Sequence, residues 1–198
     1  MDALKKAFKK NGFEVIFVSN KEEALNVAMS FIKPGMSIGM GGSTTVVQIG
    51  LLEYVVSLKD ITLFNQYEKG ISMEENTERR RKGLLSDVYL CSSNALTRNG
   101  ELVNADGSGN RVAAQIFGPK KVVIIAGKNK IVDTIDDGFK RIHDVVMPQN
   151  IERMNSMAIA MGKEPRYNRD NIGNKFSYVN GDVEGRTTII IVDEDLGY

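Results

Sequence analysis

One feature constrains the fold of this chain more than any other. Short runs of β-branched and aromatic residues alternate along it with stretches of helical patterning. The runs fall at residues 13–18 (FEVIFV), 36–40, 61–64, 87–91 (DVYLC), 121–126 (KVVIIA) and 187–192 (TTIIIV). Alternation of this kind is how βαβ architecture reads in sequence. KVVIIA and TTIIIV are continuously apolar, as strands covered on both faces must be. The expectation is an α/β fold: a Rossmann-like, mostly parallel sheet flanked by helices.

The intervening segments carry helix punctuation. Ser19 or Asn20 can cap a helix with Glu22 and Glu23 in its first turn, running to about Ile32 until Lys33-Pro34-Gly35 stops it. A helix is expected to open at Thr44 and reach Tyr54. Residues 74–82 (EENTERRRK) place acids first and bases last, the order the helix dipole favours. Two further helices are expected at about 133–144 and 149–161. Residues 162–186 are the least patterned and read as a long loop or hairpin.

Bulk properties narrow the classes. With 198 residues the chain fits one large domain. It carries 26 Lys+Arg against 25 Asp+Glu, a net of +1, which offers no electrostatic footprint for nucleic acid or an anionic membrane. Only one cysteine is present, Cys91, so no internal disulfide or cysteine-ligated metal centre is expected. In its apolar strand it reads as a buried, inert thiol. His143 is the sole histidine, which excludes a histidine-rich metal site, and it reads as a surface residue at a helix end. The opening MDALKKAFKKNGFEV has no continuous apolar h-region and no run is long enough to span a bilayer. A cytoplasmic protein is expected.

Two constellations could carry chemistry. Gly39-Met40-Gly41-Gly42-Ser43-Thr44-Thr45 joins an expected strand to an expected helix. Its glycines admit close backbone approach, and free amides beside hydroxyls make an anion site. The alternative is a tight turn that needs glycine for sterics and Ser43 or Thr44 as a plain cap. The loop is neither a Walker A nor a dinucleotide fingerprint. The second constellation is Ser92-Ser93-Asn94 followed by the stretch Asn104 to Arg111 (NADGSGNR). Asp106 could serve as a general base and Arg111 could fork onto a carboxylate or phosphate. A polar turn, with Asp106 capping the next helix, explains the same residues equally well. Met147, Met154, Met157 and Met161 lie near helical spacing and suit a core face or a subunit seam. Arg79-Arg80-Arg81-Lys82 is a solvated helix end or a seat for an acidic partner.

The stretch SDVYLCSSNALTRNGELVNADGSGNRVAAQIFGPKKVVIIAGKNKIV (86–132) resembles the LUD-domain family of LutC/YkgG-like lactate-utilisation proteins. GMGGSTT and the VDEDLGY that closes the sequence look like flanking motifs of the same family. The resemblance covers about residues 13–198 as one LUD domain. It implies a fold similar to the ribose-5-phosphate isomerase/CoA-transferase group (the NagB/RpiA/CoA-transferase-like fold), with the ligand cleft lined by these loops. It also implies that Gly41, Gly42, Ser43 and Thr44 cradle an anion. Asn94, Asp106, Asn110 and Arg111 would face that cradle, and Lys130 would form a third wall. Asp106, Arg111 and Asn94 are then the candidate catalytic set. The implied role is support of lactate or other hydroxy-acid utilisation through a small anionic metabolite, alone or beside iron–sulfur oxidoreductase subunits; a homo-oligomer is open. An isomerase- or transferase-like enzyme and a non-catalytic subunit or sensor are the competing roles. Many members carry a cysteine cluster before the last strand. Residues 154–175 here contain none, which argues against a redox role by that route. The cofactor is unknown from the sequence, with nicotinamide or flavin use left open.

Overall fold

The computed structural model describes residues 1–198. Its centre is a six-stranded parallel sheet in the order β1-β10-β7-β4-β2-β3. These strands are β1 (Glu14–Val18), β2 (Ser37–Met40), β3 (Thr62–Phe64), β4 (Val88–Cys91), β7 (Lys121–Gly127) and β10 (Thr187–Val192). Every expected strand is present, and the α/β class is as expected. Side chains alternate along each strand, so the sheet has two apolar faces. Val123, Ile125, Ile190 and Leu90 pack with helices on one side. Val122, Ile124, Ile191 and Tyr89 pack on the other. Fully burying an Ile such as Ile124 or Ile125 contributes roughly 1.5–3 kcal/mol.

The first face is covered by α2 (Lys21–Met29), α3 (Thr44–Gln48) and α4 (Leu51–Ser57). Asn20 caps α2 by accepting from the Glu23 amide. The single helix expected from Thr44 to Tyr54 is two helices. Gly50 adopts φ +79° between them, a left-handed conformation that ends α3 and starts α4. The second face receives α1 (Asp2–Lys10), α5 (Met73–Gly83) and α6 (Asn110–Ile116). Ser72 caps α5.

A second sheet, ordered β8-β5-β6-β9, was not expected. It comprises β5 (Ala95–Thr97), β6 (Leu102–Asp106), β8 (Ile131–Val132) and β9 (Lys175–Val179). Leu96 and Leu102 insert into the second face of the main sheet. Ala95 and Val103 face outward onto a long helical run. That run is α7 (Ile135–Arg141), a π-helical turn (Ile142–Val146) and α8 (Met147–Ala160), continuous where two separated helices were expected. Pro148 lacks an N–H and its ring crowds the carbonyl one turn back. The wider π turn just before it lets the helix continue. Met147 is buried and Met154 packs beside it, whereas Met157 and Met161 are exposed. His143 lies on the exposed side of the π turn, against Asp144 and Arg169.

The order of strands places a topological switch between β2 and β4. The chain leaves β2 toward β3 and leaves β4 in the opposite direction, toward β7. At such a point the loops after two neighbouring strands diverge and open a crevice. No helix is long and apolar enough to cross a membrane.

Candidate functional site

The loops that follow β2, β4 and β7 meet at this switch. The loop after β2 holds Gly41 to Thr45, and Ser92 to Asn94 follow β4. Lys130 ends the 3-10 turn Lys128–Lys130 that follows β7. Its ammonium donates to Thr45 Oγ1 at 2.9 Å and to Ser92 Oγ at 2.9 Å, so one side chain ties three strand ends together. Lys130 is 2% exposed and no carboxylate acts on it. Its amine is pushed down to about 7, first by burial and then by the positive charges of Arg141 and Arg111. Both effects disfavour the ammonium form.

Arg111 is the hub of the neighbouring polar network. Nε donates to Asp106 Oδ1, NH1 to Ser92 O and Asn104 Oδ1, and NH2 to Asn94 Oδ1, Ala105 O and Asp106 Oδ1. The Asp106 ion pair spans 2.6 Å with both side chains nearly buried. Asp106 Oδ2 accepts from the Arg111 and Val112 amides and so holds the first turn of α6. The expectation that Arg111 grips a ligand therefore meets a guanidinium with no free N–H. The expectation that Asp106 acts as a base meets a carboxylate occupied on both oxygens. Asn94 is engaged likewise: Oδ1 also accepts from the Ala105 amide, and its carbonyl accepts from Arg141 NH1 at 2.8 Å. As placed, Asp106, Arg111 and Asn94 hold the β4 and β6 loops in register.

The glycine loop is equally engaged. A Cβ on Gly41 would lie 3.1 Å from Cys91 Cβ and 3.2 Å from Arg111 Cβ, so the glycine lets the two constellations touch. A Cβ on Gly39 would come within 2.6 Å of Gly83 O, where α5 crosses the sheet. Gly42 meets only Gln66 Nε2, at 3.8 Å, and is open. Ser43 caps α3 through Val46, and its own amide donates to the Tyr67 hydroxyl at 2.6 Å. Thr44 is half-buried at the first turn of α3. With five residues, α3 has little dipole to offer an anion. Asn110 points elsewhere, donating to the Tyr89 hydroxyl at 3.0 Å, and lines a shallow groove with Arg80, Ser108 and Lys175.

Several contributors lie outside the expected site residues, although Thr45 and Ser92 stand within the two constellations. Thr45 and Ser92 supply the hydroxyls around Lys130, Gln115 donates to Ser92 O, and Arg141 reaches in from α7. The segment after β10 covers them. Leu196 N donates to Asn129 Oδ1, Asn129 Nδ2 to Gly197 O, and Gly197 N to Gln48 Oε1. The Tyr198 hydroxyl accepts from Arg153 and donates to Asn150. A Cβ on Gly197 would run into Thr45 Oγ1 and stand 3.2 Å from Lys130 Nζ. Only glycine lets this strap lie so close. Cys91, fully buried nearby, has its thiol pushed up to about 11 by burial.

An open parallel sheet with polar loops gathered at its switch point belongs to the α/β class whose members take ligands at the carboxyl edge of the sheet. The sequence profile described as the LUD domain matches residues 1–192, and the chain belongs to that family. A crystal structure of a DUF162 family protein from Deinococcus radiodurans shares the fold, with a TM-score of 0.52 and 14% identity. The match covers 96% of this chain and 94% of that one. No curated protein matches the sequence.

Proposed function

We propose that this LUD-domain protein binds a small anionic metabolite of the lactate or hydroxy-acid class at the β2–β4 switch and serves the use of that metabolite. The observation that carries the assignment is Lys130: a buried amine with no carboxylate beside it, in the field of Arg111 and Arg141. A positive site lacking its own anion is completed by a ligand carboxylate. Lys130, with the hydroxyls of Thr45 and Ser92, is the contact set. Gly42 and Thr44 form the open lip of the loop. Arg111, Asp106 and Asn94 hold the walls, and Asn110 stands outside the contact set.

Calorimetric titration of lactate, pyruvate and ribose 5-phosphate into wild type and Lys130→Met tests this. Carboxylate binding that disappears in Lys130→Met is the expected result. Equal binding by the two proteins, or none by either, overturns it. Binding of the sugar phosphate alone favours an isomerase-like enzyme instead.

A further inference from the structure

We propose that Lys130 is a nucleophile that condenses with the carbonyl carbon of a small 2-oxo acid held at the β2–β4 switch, forming an imine. The inference rests on the anion site proposed above and goes beyond it, because an anion site needs only charge. Charge alone would be better served by an arginine, or by a lysine with access to water. Lys130 is instead shut away under Gly197, 2% exposed, among groups that push a primary amine toward its uncharged form. Desolvation beside other cations is a general way of activating a lysine toward carbonyl carbon.

The surroundings suit each step. The amine lone pair forms the C–N bond and the carbonyl π pair moves to oxygen. The nitrogen, now cationic, gives up one of its own two protons to that oxygen, with the Ser92 and Thr45 hydroxyls, each 2.9 Å from Nζ, as relays. A second proton transfer expels the oxygen as water and leaves C=N. The sum is amine plus carbonyl giving imine plus water, with nothing oxidised or reduced, and hydrolysis reverses it. The charged groups facing Lys130 are Arg111 from α6 and Arg141 from α7, with Cys91 from β4 close by. Arg111 is already paired with Asp106, whereas Arg141 binds only the carbonyls of Asn94 and Asn129, and its charge favours a substrate whose carboxylate lies next to its carbonyl.

Entry requires the strap to lift. Asp193 and Glu194 are held by backbone bonds with Val18 and Lys128, and Leu196 is buried in the core. The part that lifts is therefore Gly197 with Tyr198, whose ties run through the side chains of Asn129, Gln48, Asn150 and Arg153. Such a segment opens without unpairing a strand.

The test is reductive trapping of the full chain. Pyruvate or glyoxylate is added with sodium cyanoborohydride near neutral pH, and the labelled lysine is located by peptide mass mapping. The expected result is one adduct on Lys130, labelled at least about tenfold more than the exposed Lys128, because an ordinary lysine is almost wholly protonated at that pH. Lys130→Met, shown by its melting curve to be folded, loses the adduct. Mapping in wild type reads the site independently of whether that variant folds. An unlabelled Lys130 in a protein that binds pyruvate calorimetrically, with binding lost in Lys130→Met, overturns the imine and leaves the anion site standing. Absence of both binding and label removes both.

Discussion

Replacing Lys130 by methionine removes the amine, keeps the length of the side chain, and gives the placement of this residue a quantitative test. In the folded chain the amine sits at about 7, and in the unfolded chain near the ordinary lysine value of about 10.4. Below both values each state is protonated, and the folded state bears the full cost of a buried charge. Above both, each state is neutral and the cost is gone. Between them the unfolded chain binds more protons, so stability rises with pH, by up to about 1.4 kcal/mol per unit. From about pH 6.5 to about pH 9.5 the wild type should gain about 3 kcal/mol relative to Lys130→Met. Subtracting the variant cancels the titration of all other groups. Near pH 6.5 the variant should be the more stable protein, because a well-packed apolar residue outdoes an uncompensated buried charge. Urea unfolding at three pH values measures the difference. A difference that stays flat within about 1 kcal/mol would show Lys130 to be solvated or paired in the folded protein.

Arg111→Ala strips a nearly buried carboxylate and two amide oxygens of their donor and should cost about 3–5 kcal/mol in urea unfolding; Arg111→Lys should recover little, since one ammonium cannot span the acceptors of a fork. A loss below about 1 kcal/mol for the alanine variant would contradict the hub geometry. Cys91 in the native protein should resist thiol reagents near pH 8 and react only after denaturation; stoichiometric native labelling would deny its burial. Gly197→Ala puts a Cβ against Thr45 on a backbone of φ +58°. Amide exchange should then lose protection in residues 195–198 while β7 and β10 keep theirs, and unchanged protection would refute the close seat of the strap.

The main sheet was legible because its strands are local signals. FEVIFV, KVVIIA and TTIIIV read the same in isolation as in the fold. The second sheet was not, because ALT and LVNAD are short, partly polar and set among turn dipeptides. Their burial comes from Leu96 and Leu102 reaching a core built elsewhere. β9 was hidden for a related reason: four of its five residues are at least partly exposed, and its register is supplied by β6. In the site, the meeting of the two loops is visible in the sequence only as a coincidence of polar strand ends. The division of labour among its residues is not visible at all. Asp106 and Arg111 look reactive by type, yet they satisfy each other. Lys130 looks like any lysine in a turn, and its burial depends on hydroxyls 85 and 38 residues away.

The strap and the amine are bound to each other by solvation. Lys130 owes its lowered proton affinity first to burial, and Gly197 supplies part of that burial. If the strap lifts as proposed, water reaches Nζ, the ammonium regains favour, and the site would attract a carboxylate. With the strap closed, the same nitrogen is dehydrated beside Arg111 and Arg141, releases its proton and can act on carbon. On the proposed reading, one motion would turn an anion receptor into a nucleophile, with no change of residue. It follows that loosening the strap should raise the proton affinity of Lys130. In Gly197→Ala, trapping with pyruvate should therefore require a higher pH than in wild type, although the cleft is easier to enter. A variant that labels faster at every pH would show that the strap obstructs the amine without tuning it.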